Sequence, residues 1–251
     1  MTSHIHVGVG GWTYEPWRDN FYPAGLPHSQ ELQYASRQLT AIEVNGTFYS
    51  TFQPSTFAKW RDETPAGFVF ALKAHRFTTH RHDLSTAAEG IARFIDSGIA
   101  ELGDKLGPIL WQLMPTTQFD PGNLDAFLGL LPRELRGRPL KHVLDVRNPS
   151  FANEAYLDLL QRHGATTVYT DAEKFPAIPH ALCPLAYLRL MRSRADCATG
   201  YPREELVGWA RGAREWEAMD HAHEAFVFFI DGAKERAPHA ALAMLELLRE
   251  P

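Results

Sequence analysis

Eight short apolar runs, each ending in a glycine, an amide or a charged residue, constrain this chain more than any other feature. They are His6–Val9 before Gly10–Gly11, Ala41–Val44 before Asn45, Phe68–Leu72 before Lys73, and Ile109–Leu113 around Gln112. The pattern continues with His142–Val146 around Asp145 and Arg147, Thr167–Tyr169 before Asp171, Leu185–Leu190 around Arg189, and Phe226–Ile230 before Asp231. Between most of them lies a stretch of helical period. Alternation of this kind predicts an α/β fold, a single (β/α)8 barrel with parallel strands, and such barrels carry their chemistry at the C-terminal ends of the strands.

A length of 251 residues suits one barrel, so residues 1–251 are read as one domain. The formal net charge of −5 argues against a chain whose main task is gripping nucleic acid. Two cysteines, Cys183 and Cys197, suggest neither a disulfide scaffold nor a zinc knuckle, and buried or idle thiols are expected. The opening MTSHIHVGVGGW lacks a charged segment followed by a long apolar one, and no apolar run approaches membrane-spanning length. A cytoplasmic protein with no membrane partner is expected, with its oligomeric state left open.

Between the strands, a helix is expected around Gln30–Leu39, and Pro54 suits the first turn of another that buries Phe57 and Trp60. Thr86 and Glu89 fit a capping box opening one long helix, striped by Ile91, Phe94, Ile95, Ile99, Leu102 and Leu106 and ended by Gly107–Pro108. Asp120–Pro121 should cap the next, Asn153–His163 a shorter one, Pro202 should open another, and the last should run from about Pro238 to Leu248. The connection Asp171–Pro184 has the weakest helical signal.

Residues i and i+2 of a strand face one side, so Glu43 should share a face with Asn45, and Asp145 with Arg147. Charged pairs on apolar strands are costly unless they reach a wet pocket or each other. Lys73, Arg147 and Arg189 would grip a phosphate or carboxylate, or else pair internally with Glu43, Asp145, Asp171 and Asp231. Glu43 with Asn45 reads as a base and an orienting amide, or as half of a structural ion pair. Those four carboxylates could offer oxygen ligands to Mg²⁺ or Mn²⁺, but His75, His80 and His82 lack metal-binding spacing, so no metal and no cofactor are expected. Gly10–Gly11 is no dinucleotide fingerprint; it is a tight turn or a set of N–H groups aimed at an anion. Trp12, Tyr14, Trp17, Phe48 and Tyr49 are either ordinary packing or an aromatic rim that stacks on a base or sugar ring.

Several segments together resemble the YecE-like family, domain of unknown function 72. They are Gly8–Tyr14, Trp17 with Phe21–Pro23, Glu43–Tyr49, Phe70–Lys73 with Thr79–His80, Leu106–Leu113, Asp145–Phe151, Tyr187–Leu190, and Gly200–Tyr201 through Trp209–Ala210. The resemblance spans nearly the whole chain and implies a TIM-type barrel. It carries a suggested relationship to apurinic endonucleases and xylose-isomerase-like barrels, which makes nucleic acid a candidate substrate by analogy of fold. The chain departs from the family pattern at its pocket rim: Arg189–Leu190–Met191–Arg192 replaces Arg-x-His-Gly, Phe229–Ile230–Asp231 replaces Phe-Asn-Asn, and Asp145 stands where Glu is more usual.

The sequence therefore points first to an acid–base enzyme acting on a small anionic ligand, phosphorylated or sugar-like. Glu43, Lys73 and Arg147 are the expected catalytic groups. Gly11, Trp12, Tyr14, Asn45, Tyr49, His80, Gln112, Asp145, Arg189 and Asp231 are expected to bind substrate. The rival readings are a nucleic-acid-binding protein or phosphodiester hydrolase, and a non-catalytic ligand-binding barrel.

Overall fold

In the computed structural model, which describes residues 4–179, 183–220 and 223–250, the eight apolar runs become eight strands of one closed parallel barrel. They are β1 (Ile5–Gly10), β2 (Ala41–Val44), β3 (Val69–Lys73), β4 (Leu106–Gln112), β5 (His142–Asp145), β6 (Thr166–Thr170), β7 (Leu185–Leu190) and β8 (Glu224–Phe229). Strand order around the barrel follows the sequence, and β8 closes onto β1. The expected runs are displaced by only a few residues. Ile230 lies just past β8, yet its N–H still donates to the Leu190 carbonyl at 2.8 Å.

Strand parity separates two cores. Ala41, Ala71, Leu110, Val143, Val168, Leu185, Tyr187, Phe226 and Phe228 pack together inside the barrel. The residues between them, such as Ile42, Phe70, Leu72, Ile109, Trp111 and Leu144, belong to the larger core under the helices. One further step of two along five strands leads from the inner core to Glu43, Lys73, Gln112, Asp145 and Arg189, all buried. Gly8 holds the inner parity on β1, where a side chain has no room: a Cβ there would lie 1.8 Å from the Ala41 carbonyl oxygen.

The helices are α1 (Glu31–Gln38), the single turn α2 (Gly46–Tyr49), α3 (Pro54–Glu63), α4 (Ala88–Ile95), α5 (Pro121–Leu130), α6 (Glu154–His163), α7 (Arg203–Met219) and α8 (Ala237–Arg249). Caps fall where short polar side chains precede them. The Asp120 carboxylate accepts from the Asn123 N–H at 2.9 Å, and the Asn153 amide oxygen accepts from the Tyr156 N–H at 3.0 Å. Pro54 occupies the first turn of α3, with Phe57 and Trp60 buried.

The long helix expected after Thr86 does not form. Its apolar stripe is buried except for the half-buried Leu106, but α4 stops at Ile95, and Gly98 with φ 109° turns the chain into a 3-10 segment, Ile99–Lys105. A Cβ at Gly98 would lie 2.6 Å from Pro54 Cα, so tertiary packing against α3 holds the break in place. Leu106, Gly107 and Pro108 already belong to β4. The capping box is also absent: Ala87 caps α4, while the Thr86 hydroxyl donates to the Asp83 carbonyl at 2.7 Å. An antiparallel hairpin pairs Glu134–Leu135 with Arg138–Pro139. The described part of Asp171–Pro184 holds no helix, and residues 180–182 of that connection, like residues 1–3 of the N-terminal reading, lie outside the described residues. Among the described residues no helix is long and apolar enough to cross a membrane.

Candidate functional site

Inner parity puts four charged side chains beside one another at the top of the barrel, and their pairing is unequal. Arg189 on β7 grips Glu43 in a fork, Nε to Oε2 and Nη2 to Oε1 at 3.0 Å each, and reaches Asp145 through Nη1 at 2.7 Å. The Tyr187 hydroxyl donates to Glu43 Oε2 at 2.8 Å. Arg147, just beyond β5, donates through Nη2 to Asp145 Oδ2 at 3.2 Å and to Gln112 Oε1 at 2.8 Å. Bidentate, charge-assisted bonds of this kind are strong, and they satisfy both buried carboxylates from the arginine side. Burial disfavours the Arg189 charge, but Glu43 and Asp145 outweigh it and raise its pKa. Burial, reinforced by Glu43, likewise keeps Tyr187 protonated.

Lys73 stands apart from this network. Its side chain is buried, with 5 % of the residue exposed. Its Nζ sits 4.1 Å from the centre of the Phe48 ring and makes no hydrogen bond or ion pair among the described residues. Burial, then the neighbouring Arg189, pulls its pKa from 10.5 to about 8, with Glu43 and Asp145 only partly offsetting the fall. A lysine without a carboxylate partner in a desolvated place behaves in this way.

Above these groups opens a cavity of about 300 Å³, lined by Tyr14, Asn45, Tyr49, Lys73, Gln112, Arg147, Lys174, Phe175, Arg189, Met191, Ile230, Asp231 and Lys234. Lys73, Arg147, Lys174, Arg189 and Lys234 supply five positive charges at or around it, against Glu43, Asp145 and Asp231. Among the described residues Arg147 Nη1 has no hydrogen bond, and its guanidinium lies 4.5 Å from the Phe175 ring. The surplus is cationic, and among the described residues the cavity's buried or half-buried cationic donors without a hydrogen bond belong to Lys73 and Arg147, while Lys174, exposed at the rim, meets only the Phe175 ring.

The structure thus gathers Tyr14, Asn45, Tyr49, Lys73, Gln112, Arg147, Arg189 and Asp231 around one cavity. Glu43 and Asp145 lie beneath it, with Glu43 wholly buried under Arg189. Asn45 arrives by the turn after β2, with αR backbone, rather than by strand parity. Gly10 leaves room for it, since a Cβ there would lie 2.8 Å from the Asn45 amide nitrogen. Gly11 and Trp12 line an adjoining cleft of about 290 Å³ that shares Tyr14 and Asn45 with the cationic cavity. The Gly11 N–H donates to the Glu43 carbonyl at 2.8 Å, so it is engaged in the turn and not aimed at an anion. His80 is exposed and packs edge-on to Phe48 at 5.2 Å, outside the cavity lining.

The aromatic group divides. Trp17 and Phe48 are core residues, Trp12 and Tyr14 are half-buried, and only Tyr49 is freely exposed, at 63 %. Asp171 is a structural acceptor, taking the Met191 N–H at 2.6 Å and the Tyr201 hydroxyl at 2.8 Å. Both cysteines are free and half-buried rather than fully buried. Among the described residues no group of three or more His, Cys, Asp or Glu is placed to hold a metal. Lys174, Phe175 and Lys234 were not foreseen, because they sit on loops after β6 and β8. Their only sequence signal is a position shortly after a strand end.

A larger cavity of about 490 Å³ lies at the opposite end of the strands, between α5 and α6. Its buried histidine, His142, is engaged on both ring nitrogens, by Trp111 Nε1 at 3.1 Å and the Pro132 carbonyl at 2.8 Å. It offers no unpaired cation of the Lys73 kind.

Comparison with known proteins agrees with the motif-based resemblance. A family model described as "Protein of unknown function DUF72" matches residues 6–251. The UPF0759 protein YunF of Bacillus subtilis (strain 168) is 24% identical over 159 residues. That stretch is 61% of this chain and 54% of YunF, so the chain spans about half the length of this relative. The crystal structure of a DUF72 family protein from Thermotoga maritima MSB8 superposes with a TM-score of 0.77 at 23% identity, covering 98% of this chain and 99% of that one. A DUF72 family protein from Enterococcus faecalis V583 gives 0.72 at 16%, covering 98% and 96%. At these identities the structural likeness speaks for the fold alone.

Proposed function

The chain belongs to the family described as "Protein of unknown function DUF72", and from that premise we propose that its barrel mouth is an enzyme site that binds a small anionic substrate and moves a proton on it. The supporting observation is Lys73, a buried ammonium without a counterion that faces a cavity already rich in positive charge. A buried charge without a partner is costly, and a bound phosphate or carboxylate would offset that cost. The free Arg147 Nη1 and Lys73 Nζ would hold the anion. Gln112 and Asp145 would keep Arg147 in place through its Nη2. Tyr14, Asn45 and Tyr49 would flank the rest of the molecule.

Proton transfer falls to Lys73 rather than to Glu43. A general base must reach the substrate and titrate near the working pH. Glu43 spends both oxygens on Arg189 and Tyr187 beneath the cavity floor, so its role is to position Arg189. Lys73 reaches the cavity and titrates near pH 8.

Sulfate titration by calorimetry tests the anion site, because sulfate keeps its charge across the relevant range. Wild type should bind, and affinity should fall as pH rises through about 8, where Lys73 loses its proton. Lys73→Met and Arg147→Ala should each weaken binding about tenfold or more, as loss of one charge-assisted hydrogen bond implies. Wild-type affinity in both variants would end this reading.

A further inference from the structure

We propose that Lys73 is also a covalent nucleophile: its amine adds to the carbonyl carbon of a small anionic aldehyde, ketone or 2-oxo acid and forms an imine. This rests on the anion-site reading above and names the substrate class it would take. The geometry carries it in three respects. First, the amine is not held by a carboxylate. The two acids that could have paired with it, Glu43 and Asp145, are taken by Arg189 and Arg147. Second, Lys73 and the free Nη1 of Arg147 line one cavity of about 300 Å³. A substrate's carboxylate or phosphate on Arg147 would therefore present a nearby carbonyl to Nζ. That size lies at the small end of small-molecule sites. Third, arginine is the better group for gripping an anion with a permanent charge, and two arginines are already present. What a lysine beside cations in a desolvated wall adds is a lone pair available near neutral pH. The depressed pKa of Lys73 agrees with that role.

The step balances without any oxidant or reductant. The Nζ lone pair forms the C–N bond as the carbonyl π pair moves to oxygen, and a proton passes from nitrogen to that oxygen. Loss of the oxygen as water, with the remaining N–H proton, leaves the imine. Anchored on Arg147, the imine would draw electrons from the adjacent carbon and acidify its C–H bond, which suits a site that moves protons.

Borohydride trapping on the full chain tests this, with pyruvate and dihydroxyacetone phosphate as anionic probes and acetone as the neutral one. The expected result is one reduced adduct per chain on the peptide carrying Lys73. Labelling by the anionic probes should exceed that by acetone about tenfold or more, in line with one charge-assisted contact, and sulfate should suppress it. Lys73→Arg should still bind sulfate but yield no adduct on that peptide, which separates the nucleophile from the charge. If sulfate binds wild type yet Lys73 stays unmodified, or surface lysines are labelled equally, the imine is overturned and the anion site stands. If sulfate does not bind, both fall together.

Discussion

The two ends of the barrel interior handle a desolvated base in opposite ways. At the N-terminal end, His6 on β1 stacks on Phe226 with ring centres 4.5 Å apart, and its Nδ1 has no hydrogen-bond partner among the described residues. Burial is the main force that lowers its pKa to about 4, so it is neutral at physiological pH. Charge at that end sits outside, in the Lys141–Glu224 pair at 2.6 Å. At the C-terminal end, Lys73 is more deeply buried, yet with a pKa of about 8 it stays mostly protonated at pH 7 beside Arg189 and Arg147. A base stacked on an aromatic ring loses its charge by staying neutral, whereas the open mouth retains a charge that no carboxylate among the described residues pairs.

The largest expected effect comes from cutting the paired network. Arg189→Met should destabilise the fold by about 3–5 kcal/mol, because it leaves Glu43 buried without a counterion and Asp145 with Arg147 alone. Urea unfolding at pH 7 measures this. A variant as stable as wild type would mean that the two ends do not differ in how charge is held.

His6→Phe probes the other end through pH. The folded-state pKa lies below the ordinary 6.5, so the unfolded chain takes up the proton first. The contribution of neutral His6 is therefore fully present above about pH 6.5 and is lost as pH falls toward 4, a change of at most about 3 kcal/mol. Unfolding free energies at pH 7 and pH 4.5 should differ less in the variant than in wild type. Identical pH slopes would remove His6 from the comparison.

Lys73→Met should act in the sense opposite to Arg189→Met. Folded Lys73 titrates below its ordinary 10.5, so its penalty is complete at pH 7 and fades as pH rises above 8. Replacing it should raise the stability of the ligand-free protein by about 1–3 kcal/mol at pH 7 while sulfate binding weakens about tenfold or more. Thermal denaturation with and without sulfate reads both effects, and a destabilised variant would show that Lys73 has a partner in solution. The smallest effect belongs to the rim. Lys174 is exposed, so Lys174→Ala should weaken sulfate by no more than about fivefold, and less at high salt.

Much of this was legible in the chain. The period-two runs, Pro54 in a first helical turn, and Asp120 and Asn153 as caps are local signals, each complete within a few residues. The helix after Ala87 was misjudged because its stripe continues through Gly98, and only contact with Pro54 decides that the chain turns there. At the site, parity put Asp145 with Arg147, which do pair. It had no means of joining Glu43 to Arg189, 146 positions away.

By itself, the sequence determined the barrel, its strand order and the fact that charge collects at the strand ends, because these follow from periodicities that neighbouring residues carry. Only the tertiary structure decided which cation goes without a partner. Pairing among buried charges is a competition in three dimensions, and Arg189 won both carboxylates by reaching across the barrel from β7, with Arg147 adding a second contact to its neighbour Asp145. Lys73 was left without a carboxylate partner among the described residues.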